Sequence, residues 1–319
     1  MSRSGSASSE IQSLPQAAVD EVMKFLVGNE EITKKIMACI MASGHVLLQD
    51  FPGTGKTFLA KILSSVLGLS YSRIQFTPDL LPSDIIGTKV WQPNTGKFTV
   101  VKGPLFANLI LADEINRAPP KTQAALLEAM EERQATIEGE TIPLPSPFIV
   151  IATQNPIEFE GTYPLPEAQL DRFMIMTSLG YPDDDIEVLK RRISWQKEDP
   201  SREASKIMDG DSIESIRDHL ESQITVSDEI LQYIASFAKC RRDGRILAGP
   251  SPRAIVSLFR LSRAMALVKG RDYVIPDDVK AVSAAVLAHR ILLRQELLME
   301  DMTAEKVLEE FTAKLPVPK

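Results

Sequence analysis

The spacing of apolar positions changes character once along this chain. Over residues 12–181, short apolar runs of strand type at 46–49, 72–76, 109–112, 148–153 and 174–176 alternate with stretches of helical period. Such alternation predicts a mostly parallel sheet with helices on both faces. After the first run, Leu59, Ile62, Leu63 and Val66 fall at i, i+3, i+4 and i+7, and Gly68 follows as a stop signal. That is an amphipathic helix with its end marked. From about residue 182 the strand-type runs stop. Residues 183–225 read as a charged helical linker with a loop near Asp199-Pro200-Ser201. Residues 226–319 read as successive helices, including 228–238, 252–269 and 276–298; in the second, Ala254, Leu258, Leu261 and Met265 share a face. The expected architecture is a doubly wound α/β core over 12–182 and a smaller all-helical domain over 226–319.

One excursion interrupts the alternation. Residues 79–86, DLLPSDII, read as a short helix with an exposed apolar side. Asn94-Thr95-Gly96 then sits between two strand-type runs, which is a hairpin signal with Gly96 suited to positive φ. Excursions of this length inside a compact domain usually carry function.

Composition adds limits. With 319 residues, 44% hydrophobic and 25% charged, the chain suits a soluble globular protein of one large or two modest domains. No apolar run approaches the ~18 residues of a membrane span. A net charge of −7 and a pI near 5.2 argue against nucleic acid as the main partner. Cys39 and Cys240 lie far apart with no second Cys or His at metal spacing, so reduced thiols and a cytoplasmic location are expected. Residues 1–11 are expected to form a disordered tail; the Ser/Gly-rich start has no apolar core of a secretory signal.

The chemistry begins where the first strand ends. Residues 50–57 read Asp50-Phe51-Pro52-Gly53-Thr54-Gly55-Lys56-Thr57. Glycines here let backbone N–H groups approach phosphate oxygens, Lys56 supplies a point charge, and Thr57 offers a hydroxyl to a magnesium ion. The strand before it and the helix after it are the context such a loop needs. Asp50 departs from the usual pattern, which has Gly at that position. The third run exits into Asp113 and Glu114, at the strand end where ligands bind in such sheets. Asp113 is expected to hold the metal through water, and Glu114 to be the base for an attacking water. The fourth run ends on Asn155, an amide placed to hydrogen-bond a terminal phosphate and the water together. Arg172, just before the last strand, reads either as an arginine finger into a neighbouring subunit or as a surface ion-pair residue. Arg253 sits at a helix start capped by Ser251, against the macrodipole, which hints at an anionic partner.

In this order the pieces resemble the AAA+ ATPases, and specifically the MoxR family. Residues 79–88, DLLPSDIIGT, and the block 103–182, with ADEINRAPPKTQAALLEAMEER (112–133), IATQNPIEFEGTYPLPEAQLDRF (151–173) and SLGYP (178–182), carry the resemblance, which spans about 14–310. It implies Walker A at Gly53, Thr54, Gly55, Lys56 and Thr57, Walker B at Asp113 and Glu114, sensor 1 at Asn155, the arginine finger at Arg172 and sensor 2 at Arg253. Val27 and Gly28 match the segment lining the adenine pocket, and Pro52 and Phe58 complete the expected nucleotide-binding set. The excursion at 79–104 resembles the helix-2 insert hairpin that faces the pore of the ring. ATP and Mg2+ are the implied ligands. A ring, expected to be a hexamer, would remodel, assemble or activate partner proteins, often ones with a von Willebrand factor A domain. A DNA-translocating motor and a chelatase motor subunit are the alternatives. Whether Arg253 serves its own subunit or a neighbour stays open. An acidic residue at position 50 is familiar in MoxR-like sequences, and its charge is expected to weaken nucleotide binding modestly.

Overall fold

The structure, a computed structural model, describes residues 3–157, 161–182, 184–195, 199–298 and 302–318. Helices α1 (Arg3–Met23) and α2 (Glu30–Met41) precede the first strand, β1 (Val46–Gln49). Helix α3 (Lys56–Val66) leads to β2 (Tyr71–Gln75), and a short α4 (Pro82–Ile86) opens the hairpin β3 (Gly87–Gln92) and β4 (Lys97–Lys102). Then come β5 (Leu109–Asp113), α5 (Pro120–Glu132) and a second hairpin, β6 (Gln134–Ile137) and β7 (Glu140–Pro143). Strand β8 (Ile149–Gln154), α6 (Glu167–Leu170) and β9 (Ile175–Thr177) follow.

Five strands form one sheet in the order β2-β5-β8-β1-β9, with every neighbouring pair parallel. Strand β5 is buried along its whole length, as a sheet covered on both faces requires. Successive residues point to opposite faces. Leu48, Leu109 and Ile151 therefore pack with α1, α2 and α3, while Leu47, Ile110 and Val150 pack with α5 and Phe173. The carboxyl ends of β1, β5 and β8 lie side by side, which places Asp50, Asp113 and Asn155 at one edge of the sheet.

The second part contains α7 (Asp185–Ser194), α8 (Gly210–Ser222), α9 (Asp228–Ser236), β10 (Ile246–Ala248), α10 (Pro252–Val268), α11 (Pro276–Leu287), β11 (Leu292–Leu293), α12 (Gln295–Leu298) and α13 (Ala304–Lys314). Ala254, Leu258, Leu261 and Met265 are all fully buried, as their shared face predicts. Two arginines of this part reach the core, and a third, Arg133 of the core itself, meets them there. Arg217 donates to the carbonyl of Ile40 (3.0 Å), Arg260 to that of Ala42 (2.7 Å) and Arg133 to that of Ser43 (3.0 Å). These carbonyls lie at and just beyond the C-terminal end of α2, where carbonyls lack helical partners and the helix dipole is negative. Burial, together with the charges of Arg217 and Arg260, pulls the pKa of Arg133 down to about 10.

Several expectations need correction. Helix α1 begins at Arg3, where a disordered tail was expected through residue 11; Met1 and Ser2 lie outside the described residues. Serine and alanine cost only tenths of a kcal/mol in a helix, and Ala18, Val19 and Val22 anchor its far end in the core. Within the segment 183–225, α8 is packed, with Ile213 and Ile216 fully buried in the same cluster as α10. The expected helix 276–298 ends at Leu287. Beyond it Arg290 is held by the Asp171 carboxylate at 2.6 Å and by the Phe173 carbonyl at 2.7 Å. The chain then pairs β11 with β10, a short antiparallel addition to the helical domain that the apolar pattern did not signal.

Candidate active site

The loop after β1 is built for phosphate. Gly53 and Gly55 adopt φ of 84° and 85°, a region that side chains rarely enter, and a Cβ on either would meet nothing within 4 Å. The open space above two such glycines, at the start of α3, is a cradle for anionic oxygens. The Lys56 Nζ donates to the carbonyls of Asp50 and Phe51, each at 3.0 Å, so the ammonium stays at its own loop.

The carboxylates are positioned from two strands. Thr153 on β8 is fully buried, and its hydroxyl donates to Asp113 Oδ1 at 2.7 Å while accepting from the Glu114 N–H at 2.8 Å. Arg73 on β2 donates to Asp113 Oδ2 through Nη2 at 2.7 Å and Nε at 3.1 Å. Glu114 itself is left-handed, with φ 56° and ψ 51°. A non-glycine residue in that conformation costs about 1–3 kcal/mol and clusters at functional sites. The twist sends its carboxylate to Gln75 Nε2 (2.9 Å) and Arg117 Nη1 (3.1 Å). Asn155 Oδ1 accepts from the Ile157 N–H at 3.2 Å, which leaves its NH2 group as the outward donor. Among the described residues no cluster of three or more His, Cys, Asp or Glu could cage a metal. A Thr hydroxyl and one carboxylate are hard oxygen donors, and magnesium bound through substrate phosphates needs no more from a protein.

Beside the loop lies a cleft lined by Val27, Gly53, Thr54, Gly55, Phe58 and, from the other wall, Leu179 and Trp195. The Phe58 and Trp195 rings approach to 5.3 Å, forming an apolar end. Arg191 donates to the carbonyls of Met23 (2.6 Å) and Leu26, joining α7 to the segment before Val27 and Gly28. Gly28 makes the turn there with φ 70°, and Pro52 accepts from the Tyr181 hydroxyl at 3.3 Å.

Arg172 and Arg253 lie elsewhere. They line a separate cleft with Arg133, Arg260 and Arg290, and no residue of that cleft belongs to the one beside the loop. Both pair with Glu131 near the end of α5, Arg172 at 3.0 Å and Arg253 at 3.3 Å. Arg172 also donates to the Leu127 carbonyl at 2.6 Å. Within this chain, then, Arg253 has the Glu131 carboxylate as an anionic neighbour. The structure brings Lys56, Asp113, Glu114 and Asn155 to one sheet edge, and Arg172 and Arg253 to one carboxylate in another cleft.

Comparison with known proteins gives the family. Residues 45–175 match the ATPase family associated with various cellular activities (AAA), and 240–311 match the AAA lid domain. Chaperone MoxR1 of Mycobacterium tuberculosis is 39% identical over 95% of this chain and 82% of its own length. The chain belongs to the MoxR family of AAA+ ATPases. An uncharacterised Bacillus subtilis protein, YeaC, is 41% identical over 94% of both chains. A candidate ATPase of Cytophaga hutchinsonii, 40% identical, superposes with a TM-score of 0.89 over 99% of both chains. No helix of the described residues is long and apolar enough to cross a membrane.

Within this MoxR-family site, several residues carry no motif. Arg73, Gln75, Thr153 and Arg117 set the two carboxylates, Glu131 gathers the two arginines, and Trp195 closes the cleft. One signal was available: Arg73 and Gln75 alternate as polar residues on the edge strand β2, whose register sets Gln75 beside Asp113. Nothing local marks Glu131, one of several acidic residues on α5.

Proposed function

We propose that this chain hydrolyses ATP to ADP and phosphate at interfaces between copies in a ring, expected to be a hexamer, and uses the turnover for chaperone-like remodelling of partner proteins. One observation carries the interface reading: Arg172 and Arg253 share Glu131 in a cleft separate from the phosphate loop. Arginines needed for catalysis would then come from a neighbour, and Arg253 would act together with the finger across the interface. The backbone of Gly53, Thr54 and Gly55 with Lys56 would hold the triphosphate, and the base would lie against Val27, Gly28 and Phe58, with Pro52 shaping the loop. Thr57 and Asp113 would hold Mg2+, which neutralises phosphate charge when bound. Glu114 accepts the proton of the attacking water as its oxygen bonds to the terminal phosphorus and the bond to the ADP oxygen breaks. Asn155 donates to a terminal phosphate oxygen, and the neighbour's arginines offset charge on the transferring group.

Support for a protein client comes from the name of the chaperone relative and from the β3–β4 hairpin, whose tip pairs Trp91 and Phe98, 50% and 65% exposed. A partner with a von Willebrand factor A domain fits the family reading. The test is the Glu114→Gln variant of the full chain with Mg-ATP. ATP binding should persist while turnover drops at least about a hundredfold, the scale of a lost general base. Wild-type turnover in that variant would remove Glu114 from the base role, and a wild-type chain that binds no ATP would overturn the whole reading.

A further inference from the structure

Asp50, the acidic residue where a phosphate loop usually begins with glycine, is almost entirely buried, at 2% exposure. Its carboxylate has three donors, all from the segment after β9. Oδ1 accepts from the Ser178 hydroxyl at 2.6 Å and the Gly180 N–H at 2.9 Å, and Oδ2 accepts from the Leu179 N–H at 2.8 Å. Successive N–H groups converging on one anion form a nest, and here the anion is the protein's own side chain. The backbone of Asp50 makes two further links. Its N–H donates to the Gln154 carbonyl at 3.1 Å, one residue before Asn155, and its carbonyl accepts from Lys56.

The neighbouring residues close the same seam. The Phe51 and Tyr181 rings lie parallel, 3° apart in plane with centroids 6.5 Å apart, and the Tyr181 hydroxyl reaches the Pro52 carbonyl. Leu179, Gly180 and Pro182 line the cleft beside the loop together with Gly53, Thr54 and Gly55. Glycine at position 50 would leave the N–H of buried Leu179 and that of half-buried Gly180 without these partners, where an unsatisfied donor is costly, and would release the hydroxyl of exposed Ser178 to water.

We infer that Asp50 is a positioning residue: its carboxylate clasps segment 178–180 to the phosphate loop, so the wall beside the base and the cradle for the phosphates keep a fixed spacing. On this inference the carboxylate of Asp50, already engaged by donors, would support nucleotide binding rather than weaken it, and its loss would loosen the cleft. The inference rests on the ATP reading above for its effect on binding, but the clasp itself can be read without nucleotide.

The test uses the full chain as wild type, Asp50→Asn, Ser178→Ala and the double variant. Asparagine keeps the size but turns an NH2 group toward at least one of the donors. Ser178→Ala removes one hydroxyl from the other side of the seam and guards against a folding failure at position 50. Amide hydrogen exchange at Leu179 and Gly180 should speed up in Asp50→Asn without any ligand. Each single variant should weaken Mg-ATP and Mg-ADP binding by about tenfold, the scale of one lost charge-assisted hydrogen bond, and raise KM more than it lowers kcat. The double variant should be little worse than Asp50→Asn, because the two residues share one contact. Unchanged exchange, unchanged nucleotide affinity in folded variants, or effects that simply multiply would overturn the clasp. A lower melting temperature with KM unmoved would reduce Asp50 to a structural role and would also overturn it. If the wild type binds no nucleotide while exchange responds as expected, the ATP reading fails and the clasp stands.

Discussion

The phosphate-loop cleft and the arginine cleft are made in opposite ways. The first is local at its phosphate end: eight consecutive residues, 50–57, supply the turn, the left-handed glycines, the lysine and the start of the helix, and only the rest of its lining, such as Val27, Leu179 and Trp195, comes from afar. The second is assembled from distant segments, with Glu131, Arg172 and Arg253 brought together from α5, the turn before β9 and α10. The first offers a backbone geometry suited to phosphate, with two left-handed glycines under open space. The second holds cations on a carboxylate, a pairing of half-exposed groups that contributes at most about 1 kcal/mol to stability. So weak an internal pair is easily exchanged for a stronger anion. On the reading proposed above, one chain carries two half-sites in separate clefts, and Glu131 holds the arginine half until a neighbour's phosphates replace it.

The largest test of that contrast is Arg172→Ala. Turnover should fall about a thousandfold, the lower end for an arginine finger, while ATP affinity measured by direct titration stays within a few-fold. Loss of binding in parallel with turnover would place Arg172 in the cleft of its own chain and erase the distinction between the two faces.

A smaller effect should separate the faces by their response to acid. His45 lines the arginine cleft, and its ring bridges the Val150 N–H at 3.0 Å and the Met130 carbonyl at 3.3 Å. Burial, with Arg133 adding repulsion, lowers its pKa to about 3. His289, whose ring lies 3.3 Å from the Phe173 carbonyl, is lowered to about 3 by burial and by Arg290. Both protonate near 6.5 in an unfolded chain. Between those values the unfolded state binds protons that the folded state refuses. Stability is therefore complete above about pH 6.5 and declines as pH falls, at up to about 1.4 kcal/mol per pH unit for each histidine. Denaturation at stepped pH measures the slope, and ring resonances of both histidines should remain neutral at pH 5. A folded-state titration of either near 6.5 would contradict the buried placement.

Much of this molecule was readable before its coordinates. The strand-type runs became the five parallel strands within a residue or so; the central strands β5 and β8 read clearly because a parallel strand covered on both faces is nearly continuously apolar, while edge strand β2 carries polar residues. The phosphate loop was readable because its chemistry needs glycines at fixed local spacing. What stayed hidden depends on partners far away in the chain. Asp50 reads as an oddity until Ser178 and Gly180 arrive, 128 and 130 residues later. Thr153 reads as one more β-branched strand residue until its hydroxyl is found between Asp113 and Glu114. The β10–β11 pair was missed because its strands are two and three residues long, too short for a period to register.

The most direct measurement mixes two inactive variants. Lys56→Ala keeps the arginine cleft and loses the phosphate-loop lysine; Arg172→Ala does the reverse. If hydrolysis occurs between copies, a mixture allowed to exchange subunits should regain activity that neither variant has alone. At equal amounts the two intact halves meet at about one interface in four, so recovery should approach that fraction of wild-type turnover if sites act independently. No recovery at any ratio, with mixed assemblies verified by mass, would contradict a composite site.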